Sequence, residues 1–251
     1  MLGIERRRRI MERLNAEKKV YVPDLAQEFN VTEETIRRDL ERLEHEDLLR
    51  RSYGGAVLNE RTAGALSFAR RSFINSEDKN TIAAKAAKLI ENGATIMLDA
   101  STTSLALLPQ LKGKKDITII TNSARALIEG ADLPCTMLSS GGTLRPHSLA
   151  LTGPSACSML SDHYADFAFL SCKGLDREQG VMESSEEENA VKQMMLHQSH
   201  QLILLADHSK FNQKAFVKTC SFDAIHALVT DNEPDMIWER FCAKEKIRLI
   251  Y

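Results

Sequence analysis

Thr35-Ile36-Arg37-Arg38-Asp39-Leu40 stands at the centre of residues 21–57, and the reading of that stretch decides the architecture. Ile36, Leu40 and Leu43 repeat at four and three, which gives a helix one buried stripe. At about 100° per residue, Glu34 and Arg38 lie nearly opposite that stripe, with Thr35 and Arg37 on its flanks. Thr32 suits an N-cap, and Glu33 and Glu34 place negative charge in the first turn. Upstream, the β-prone pair Tyr21-Val22 leads into Pro23-Asp24, a favoured helix opening. Leu25, Ala26 and Phe29 share one face of that short helix, and Asn30-Val31 makes the turn. A short helix, a tight turn and a second helix with arginines near its start is the arrangement that enters a major groove. Arginine forks onto guanine O6/N7 or onto phosphate, and threonine meets a thymine methyl or a phosphate.

Working outward, Leu48-Leu49-Arg50-Arg51-Ser52 and Ala56-Val57-Leu58 flank Tyr53-Gly54-Gly55. Two extended runs around paired glycines read as a hairpin, a wing whose Arg50, Arg51 and Tyr53 sit where backbone phosphate or minor groove would be touched. The candidate DNA contacts are Thr32, Glu34, Thr35, Arg37, Arg38, Arg50, Arg51, Tyr53, Gly54 and Gly55. An Arg-Arg pair alone is usually a solvated helix face. The helix, turn, helix and wing together point to duplex DNA. Net charge adds nothing, because residues 1–58 hold twelve Lys/Arg and twelve Asp/Glu. Binding has to come from where the charges sit.

The run Val31-Thr32-Glu33-Glu34-Thr35-Ile36-Arg37-Arg38-Asp39-Leu40-Glu41-Arg42-Leu43-Glu44, followed by a Gly-Gly-Ala wing, resembles the signature of the DeoR family of bacterial transcriptional regulators. That family usually carries Gly near Glu46-Asp47 and His where this chain has Tyr53. The resemblance implies a winged helix-turn-helix over residues 1–58 and an effector-sensing domain after it.

The chain has 251 residues, 43% hydrophobic and 27% charged, with a net charge of −2. That suits one large or two ordinary domains with packed cores. The five cysteines (Cys135, Cys157, Cys172, Cys220, Cys242) are scattered without a Cys-x-x-Cys, and read as reduced thiols of a cytoplasmic protein. Neither a signal peptide nor a membrane span is expected.

Residues 4–15 form a basic helix whose inner edge is Ile10, Met11 and Leu14. Arg6 to Arg9 either reach phosphate or form a solvated face. Residues 59–75 read as a linker, partly helical around 66–73. A helix is expected over 77–91, stopped by Asn92-Gly93. From there strands (95–99, 117–121, 135–139, 149–152, 167–171, 202–206, 225–229, 247–251) alternate with helices (102–110, 123–129, 154–161, 185–198, 234–243). Apolar strands alternating with helices give an α/β effector domain over 76–251, mainly a parallel sheet covered on both faces.

In such a sheet, ligands bind at the carboxyl ends of the strands. Asp99-Ala100-Ser101-Thr102-Thr103-Ser104 joins a strand to a helix, where hydroxyls and free N–H groups suit a phosphate. Simple N-capping by Ser101 or Thr102 accounts for the same residues. Thr121-Asn122-Ser123 repeats the arrangement. Gly141-Gly142 allows close backbone approach or merely a turn. Ser171-Cys172-Lys173-Gly174 and Asp207-His208-Ser209-Lys210-Phe211 bring a lysine each to a strand end. Ser185 and Glu188 fit a capping box, which leaves Glu186 and Glu187 for sugar hydroxyls. The candidate effector contacts are Asp99, Ser101, Thr102, Thr103, Asn122, Gly141, Gly142, Lys173, Glu186 and Lys210.

These segments are similar, in order, to the DeoR effector domain, which resembles ribose-5-phosphate isomerase in fold. Ala100 stands where the family often has Gly, and Ser171-Cys172-Lys173-Gly174 replaces a more usual Gly-x-x-Gly. The resemblance implies operator DNA and a phosphorylated sugar as partners, no cofactor, and a repressor of carbohydrate use. The competing class is a sugar-phosphate isomerase fused to a DNA-binding module. Such an enzyme needs a carboxylate base, and its Asp-Gly-Ala-Asp-Glu-like loop is here Ser171-Cys172-Lys173-Gly174-Leu175, with the acids Asp176 and Glu186 remaining as candidates. A Cys172 nucleophile would need Lys173 to lower its pKa. His197 and His200 are three apart, with no third metal ligand spaced near them. One recognition helix reads few base pairs, so at least a dimer is expected on DNA, held through the effector domain.

Overall fold

The computed structural model describes residues 2–45, 48–58 and 68–251, divided into two compact units, Met1–Ser76 and Glu77–Tyr251. The first unit opens with helix α1 (Gly3–Glu17), closed by Lys18 in the left-handed region. Strand β1 (Lys19–Tyr21), helix α2 (Val22–Phe29) and helix α3 (Glu33–His45) follow, then strands β2 (Leu49–Ser52) and β3 (Gly55–Leu58) and the short helix α4 (Phe68–Phe73). β1 and β2 flank β3 in an antiparallel sheet. Ile10, Met11 and Leu14 from α1, Leu25 and Phe29 from α2, and Ile36, Leu40 and Leu43 from α3 form one buried cluster. Ala69 and Phe73 of α4 pack against it, so part of the expected linker belongs to this unit. The expectations on Glu46-Asp47 and on residues 59–67 fall outside the described residues.

The second unit contains helix α5 (Ser76–Ala86), strand β4 (Thr95–Leu98), the one-turn helix α6 (Thr102–Leu105), β5 (Ile117–Thr121), α7 (Ala124–Gly130), β6 (Cys135–Ser139), β7 (Thr143–Arg145) and β8 (Ala150–Thr152). Next come α8 (Pro154–Ser161), β9 (Ala165–Ser171), β10 (Gly174–Asp176), β11 (Gly180–Glu183), α9 (Glu186–His197), β12 (Ser199–Leu205), β13 (Val217–Cys220), β14 (Ala227–Val229), α10 (Met236–Lys244) and β15 (Arg248–Ile250). Seven strands form one sheet in the order β15-β14-β12-β9-β4-β5-β6, every pair parallel. Its residues alternate between two cores. Met97, Leu170 and Leu204 face α8, α9 and α10, while Ile96, Phe169 and Ile203 face α5 and α7. Helices on both faces are what an all-parallel sheet requires.

The chain enters this sheet at β4, builds outward to β5 and β6, then returns beside β4 as β9. The order reverses between β4 and β9, and a crevice opens at the carboxyl ends of strands at such a reversal.

Sequence reading missed β7, β10, β11 and β13. These strands have three or four residues each and form two small antiparallel sheets, β7-β8 and β10-β11-β13. The helix expected over residues 102–110 is also corrected. It closes after one α-turn, and a 3₁₀ turn, Leu108–Leu111, follows with Pro109 at its start. Proline has no N–H to continue an α-helix and crowds the preceding turn. The helix expected over 77–91 likewise tightens to 3₁₀ at Ala87–Leu89.

Candidate nucleic-acid interface and ligand site

In the first unit, the Thr32 hydroxyl caps α3, accepting from the Thr35 amide at 3.3 Å, and lies 2.9 Å from the Thr35 hydroxyl. The stripe Ile36, Leu40, Leu43 is wholly buried, so the opposite face is turned to solvent. Arg37 and Arg38 are exposed there and pair with Glu33 (2.6 Å) and Glu34 (3.2 Å) one turn back. Pairs this exposed contribute little and exchange readily for phosphate or base. The Arg51 guanidinium and amide both donate to Glu44, at 2.6 and 2.8 Å, which ties β2 to the side of α3. Arg50 is exposed, and Tyr53 at the hairpin tip is fully so.

The two wing glycines have different duties. Gly54 is exposed at φ +79°, with open space around it. Gly55 is buried, and a Cβ there would lie 2.0 Å from the Val20 carbonyl oxygen. Gly55 is thus required for the close approach of β3 to β1, which removes it from the outward face. Arg6 also changes role. It is buried and donates to Asp39 at 2.5 Å, with Arg7 3.3 Å from the other carboxylate oxygen. Neither a phosphate contact nor a solvated face describes Arg6: it links α1 to α3.

In the second unit, the candidate residues at the ends of β4, β5, β6, β9 and β12 all fall on one edge of the parallel sheet. Asp99 is buried beside the reversal. Its carboxylate accepts from the Ser171 amide at 2.9 Å, across the crevice from β4 to β9, and from the Ser101 amide at 3.1 Å. Lys192 of α9 reaches the same place. Its Nζ lies 3.0 Å from Asp99, 2.5 Å from Glu183 and 2.6 Å from the Ser171 carbonyl oxygen. Burial opposes charge on all three side chains, yet their mutual attraction and hydrogen bonds win. Asp99 and Glu183 are held below the usual carboxylate range, and Lys192 above the usual lysine value. Asp99, expected to meet a ligand, is one of three charged groups in a buried ionic floor.

Ser101 N-caps α6, accepting from the Ser104 amide at 3.0 Å, so capping is realised there. Thr102 and Thr103 beside it are buried. A single α-turn carries only a small dipole, so attraction for an anion would rest on local N–H and hydroxyl groups. Asn122 is buried, its side-chain Nδ2 donates to the Leu151 carbonyl oxygen at 3.1 Å, and its backbone carbonyl accepts from the Leu151 amide at 2.7 Å. Its Oδ1 accepts none. Gly141 lies in open space at φ +62°, whereas a Cβ on Gly142 would meet the Thr152 carbonyl oxygen at 2.5 Å. Gly142 therefore serves packing.

Lys173 is half-buried close enough to Glu183 to favour its charged form. Lys210 Nζ lies 3.4 Å from Asp207. Glu186 is exposed at the first turn of α9. Ser185 caps that helix as expected, while Glu188 turns its carboxylate to Arg145, 3.6 Å away. Cys172 does not carry a thiolate. Burial pushes its thiol up to about 12, against the opposing pull of Lys192. His197 and His200 join no metal-ligating group among the described residues. Asp78, His208 and Asp231 do converge, with candidate ligand atoms within 4.8 Å of one another. The His208 amide and Nδ1 bond Asp231 at 2.8 and 2.7 Å, and this contact raises the imidazole pKa. No helix among the described residues is long and apolar enough to cross a membrane.

The two units, one with an outward arginine face and a hairpin wing and the other with a polar strand edge, correspond to two family models. The DeoR-like helix-turn-helix domain covers residues 6–62, and the DeoR C terminal sensor domain covers residues 74–232. The chain belongs to the DeoR family of transcriptional regulators. The HTH-type regulator YulB of Bacillus subtilis is 38% identical to this DeoR-family chain over 99% of it and 96% of the relative. The glycerol-3-phosphate regulon repressor of Escherichia coli is 30% identical over 93% of each, and the L-fucose operon activator of Haemophilus influenzae 32% over 96% and 97%. Among solved structures, ribose-5-phosphate isomerase of Methanocaldococcus jannaschii aligns with a TM-score of 0.41, 15% identity and 55% of each chain.

Sequence reading of this DeoR-family regulator did not foresee that Glu183 and Lys192 form a buried ion pair with Asp99. For Lys192 a signal existed. Asn189, Lys192 and Met195 fall three apart on the buried face of α9, and a lysine there needs buried partners.

Proposed function

We propose that this regulator represses a carbohydrate-utilisation operon and is released from its operator by a phosphorylated sugar or polyol. The observation that carries the reading is the joining, in one chain, of an exposed arginine face on α3 to a sheet edge with buried, polar strand ends. Thr32, Glu34, Thr35, Arg37 and Arg38 meet the major groove, and Arg50, Arg51, Tyr53 and Gly54 the backbone or minor groove. Thr102, Thr103, Asn122, Lys173, Glu186 and Lys210 surround the effector, and the chain carries out no reaction on it. The name of the Escherichia coli relative, a glycerol-3-phosphate regulon repressor, supports a phosphorylated polyol. Release follows only if the ligand prefers the arrangement of subunits that does not bind DNA, since affinity alone shifts nothing.

Arg38→Ala is expected to weaken operator binding by about 1–3 kcal/mol at fixed salt with the fold unchanged. Equal affinity for parent and variant would refute the placement of α3. The operator complex, weighed by sedimentation, should carry two or more protomers, because paired half-sites supply the discrimination one helix lacks. A single protomer per operator would count against that. Calorimetric titration with sugar and polyol phosphates, beside the free sugars, tests the effector. Only the phosphate esters should bind and reduce operator affinity. Equal binding of a free sugar removes the phosphate from the reading.

A further inference from the structure

Among groups that neither reading above uses, the β7–β8 hairpin stands out. It leaves the carboxyl end of β6, so it lies at the edge of the sheet where the strand-end residues gather. It is fixed to the end of β5: the Leu151 amide donates to Asn122, the Ala124 amide donates to Leu149 at 2.9 Å, and Ala150 bridges Ser123. Arg145 pairs with Ala150 across the hairpin, so one strand separates it from Ser123. Its guanidinium reaches the start of α9, with Nη1 3.1 Å from Glu187 and Nε 3.6 Å from Glu188.

Two further atoms at this place lack hydrogen-bond partners. Asn122 is 2% exposed, and its Oδ1 accepts nothing. Ser148, in the loop between β7 and β8, is 6% exposed, and its hydroxyl bonds nothing. Buried polar atoms are seldom left so, and two of them, one in the hairpin's loop and one where the hairpin is anchored to β5, point to a ligand that completes them. An amide oxygen wants a donor, and a hydroxyl both gives and takes. A polyol offers both, and a phosphate on it offers the anion that a guanidinium binds in bidentate fashion.

We propose that Arg145 is a ligand of the effector's phosphate, with Glu187 and Glu188 holding it while the site is empty. Asn122 Oδ1 and the Ser148 hydroxyl take the effector's hydroxyl groups. This rests on the effector being a polyol or sugar phosphate. Arg145 and Glu187 are both substantially solvated, at 38% and 59% side-chain exposure, so the pair gives way at small cost. Effector binding then exchanges two carboxylates for one phosphate and releases the start of α9 from the hairpin.

The test uses the full chain and calorimetry with glycerol 3-phosphate, fructose 1-phosphate, fructose 6-phosphate, glycerol and inorganic phosphate. Arg145→Gln is expected to weaken the binding phosphate ester by about tenfold or more, with Arg145→Lys between the two. Glu187→Gln/Glu188→Gln is expected to tighten the same ester several-fold, because the internal competitor is gone. Thermal melts of all variants should match the parent, since the hairpin pair is solvated. If the parent binds one of these esters and Arg145→Gln binds it equally, Arg145 is not a ligand and the effector reading stands. If the double variant weakens the ester as Arg145→Gln does, the ion pair is a strut and exchange is overturned. If no ester binds the parent, the effector reading falls and takes this proposal with it.

Discussion

Lys192→Met is expected to cost the second unit about 3–5 kcal/mol, because it strips the counter-charge from two buried carboxylates. Lys192 is 8% exposed between Asp99 at 1% and Glu183 at 4%. Methionine fills a similar volume, so the loss is electrostatic rather than a cavity. Chemical denaturation followed by Trp238 fluorescence measures it. Trp238 is the chain's single tryptophan and is buried on α10 in the core of the second unit, so its signal reports that unit alone.

The sign of the pH dependence follows from the pKa directions. Asp99 and Glu183 are depressed in the folded state, so the stability they contribute is present above the ordinary carboxylate range. It is lost as pH falls through their folded values. In Lys192→Met both carboxyls lose their nearest counter-charge while burial still opposes their charge, so they rise, Glu183 against the remaining pull of Lys173. Protonation then relieves the variant while it harms the parent, so the stability gap narrows on acidification. A loss below about 1 kcal/mol at neutral pH would mean that the three charges do not share a dry site. Adding Glu183→Gln to Lys192→Met should restore part of the loss, which identifies the unpaired carboxylate as its source.

Legibility in the sequence followed length and period. The stripe Ile36, Leu40, Leu43 and the apolar strands of the large sheet each span several residues of consistent pattern, and they folded as read. The short strands β7, β10, β11 and β13 did not announce themselves, because three or four residues carry too little alternation to stand out from a loop. Glycines marked their turns without disclosing their use. Gly55 and Gly142 prove to be close backbone approaches, which depend on what the fold brings opposite them. Side-chain pairing across long sequence separations was invisible for the same reason. Nothing in Arg6 or Asp39 alone says that they meet, and nothing in Arg145 says that Glu187 waits for it. Titration was not legible where burial outweighs charge. Lys173 follows Cys172, yet desolvation decides that thiol.

Asp39→Ala is expected to cost the first unit about 3–5 kcal/mol, since it leaves the buried Arg6 without its carboxylate. Asp39 is 7% exposed and holds Arg6 and Arg7, at 10% and 16%, from one position on α3. That is a different situation from Arg37–Glu33 or Arg13–Glu28, whose exposed charges are solvated with or without each other and whose loss should cost at most about 1 kcal/mol. The consequence for function follows from position. Asp39 sits on the side of α3 that faces α1, one residue from the outward Arg38. Its loss unseats the whole helix, so every contact made by Arg37, Arg38 and Thr35 weakens together. Asp39→Ala should therefore reduce operator affinity more than Arg38→Ala does, although Asp39 points away from the DNA face. Hydrogen exchange resolved by peptide separates the two causes. In Asp39→Ala, protection should fall across residues 3–17 and 33–45 while the Trp238 signal keeps the parent's midpoint, because the second unit is a separate compact body. In Arg38→Ala both should stay as in the parent. Unchanged protection in Asp39→Ala, with operator affinity intact, would mean that the α1–α3 ion pair does not hold the recognition helix in place.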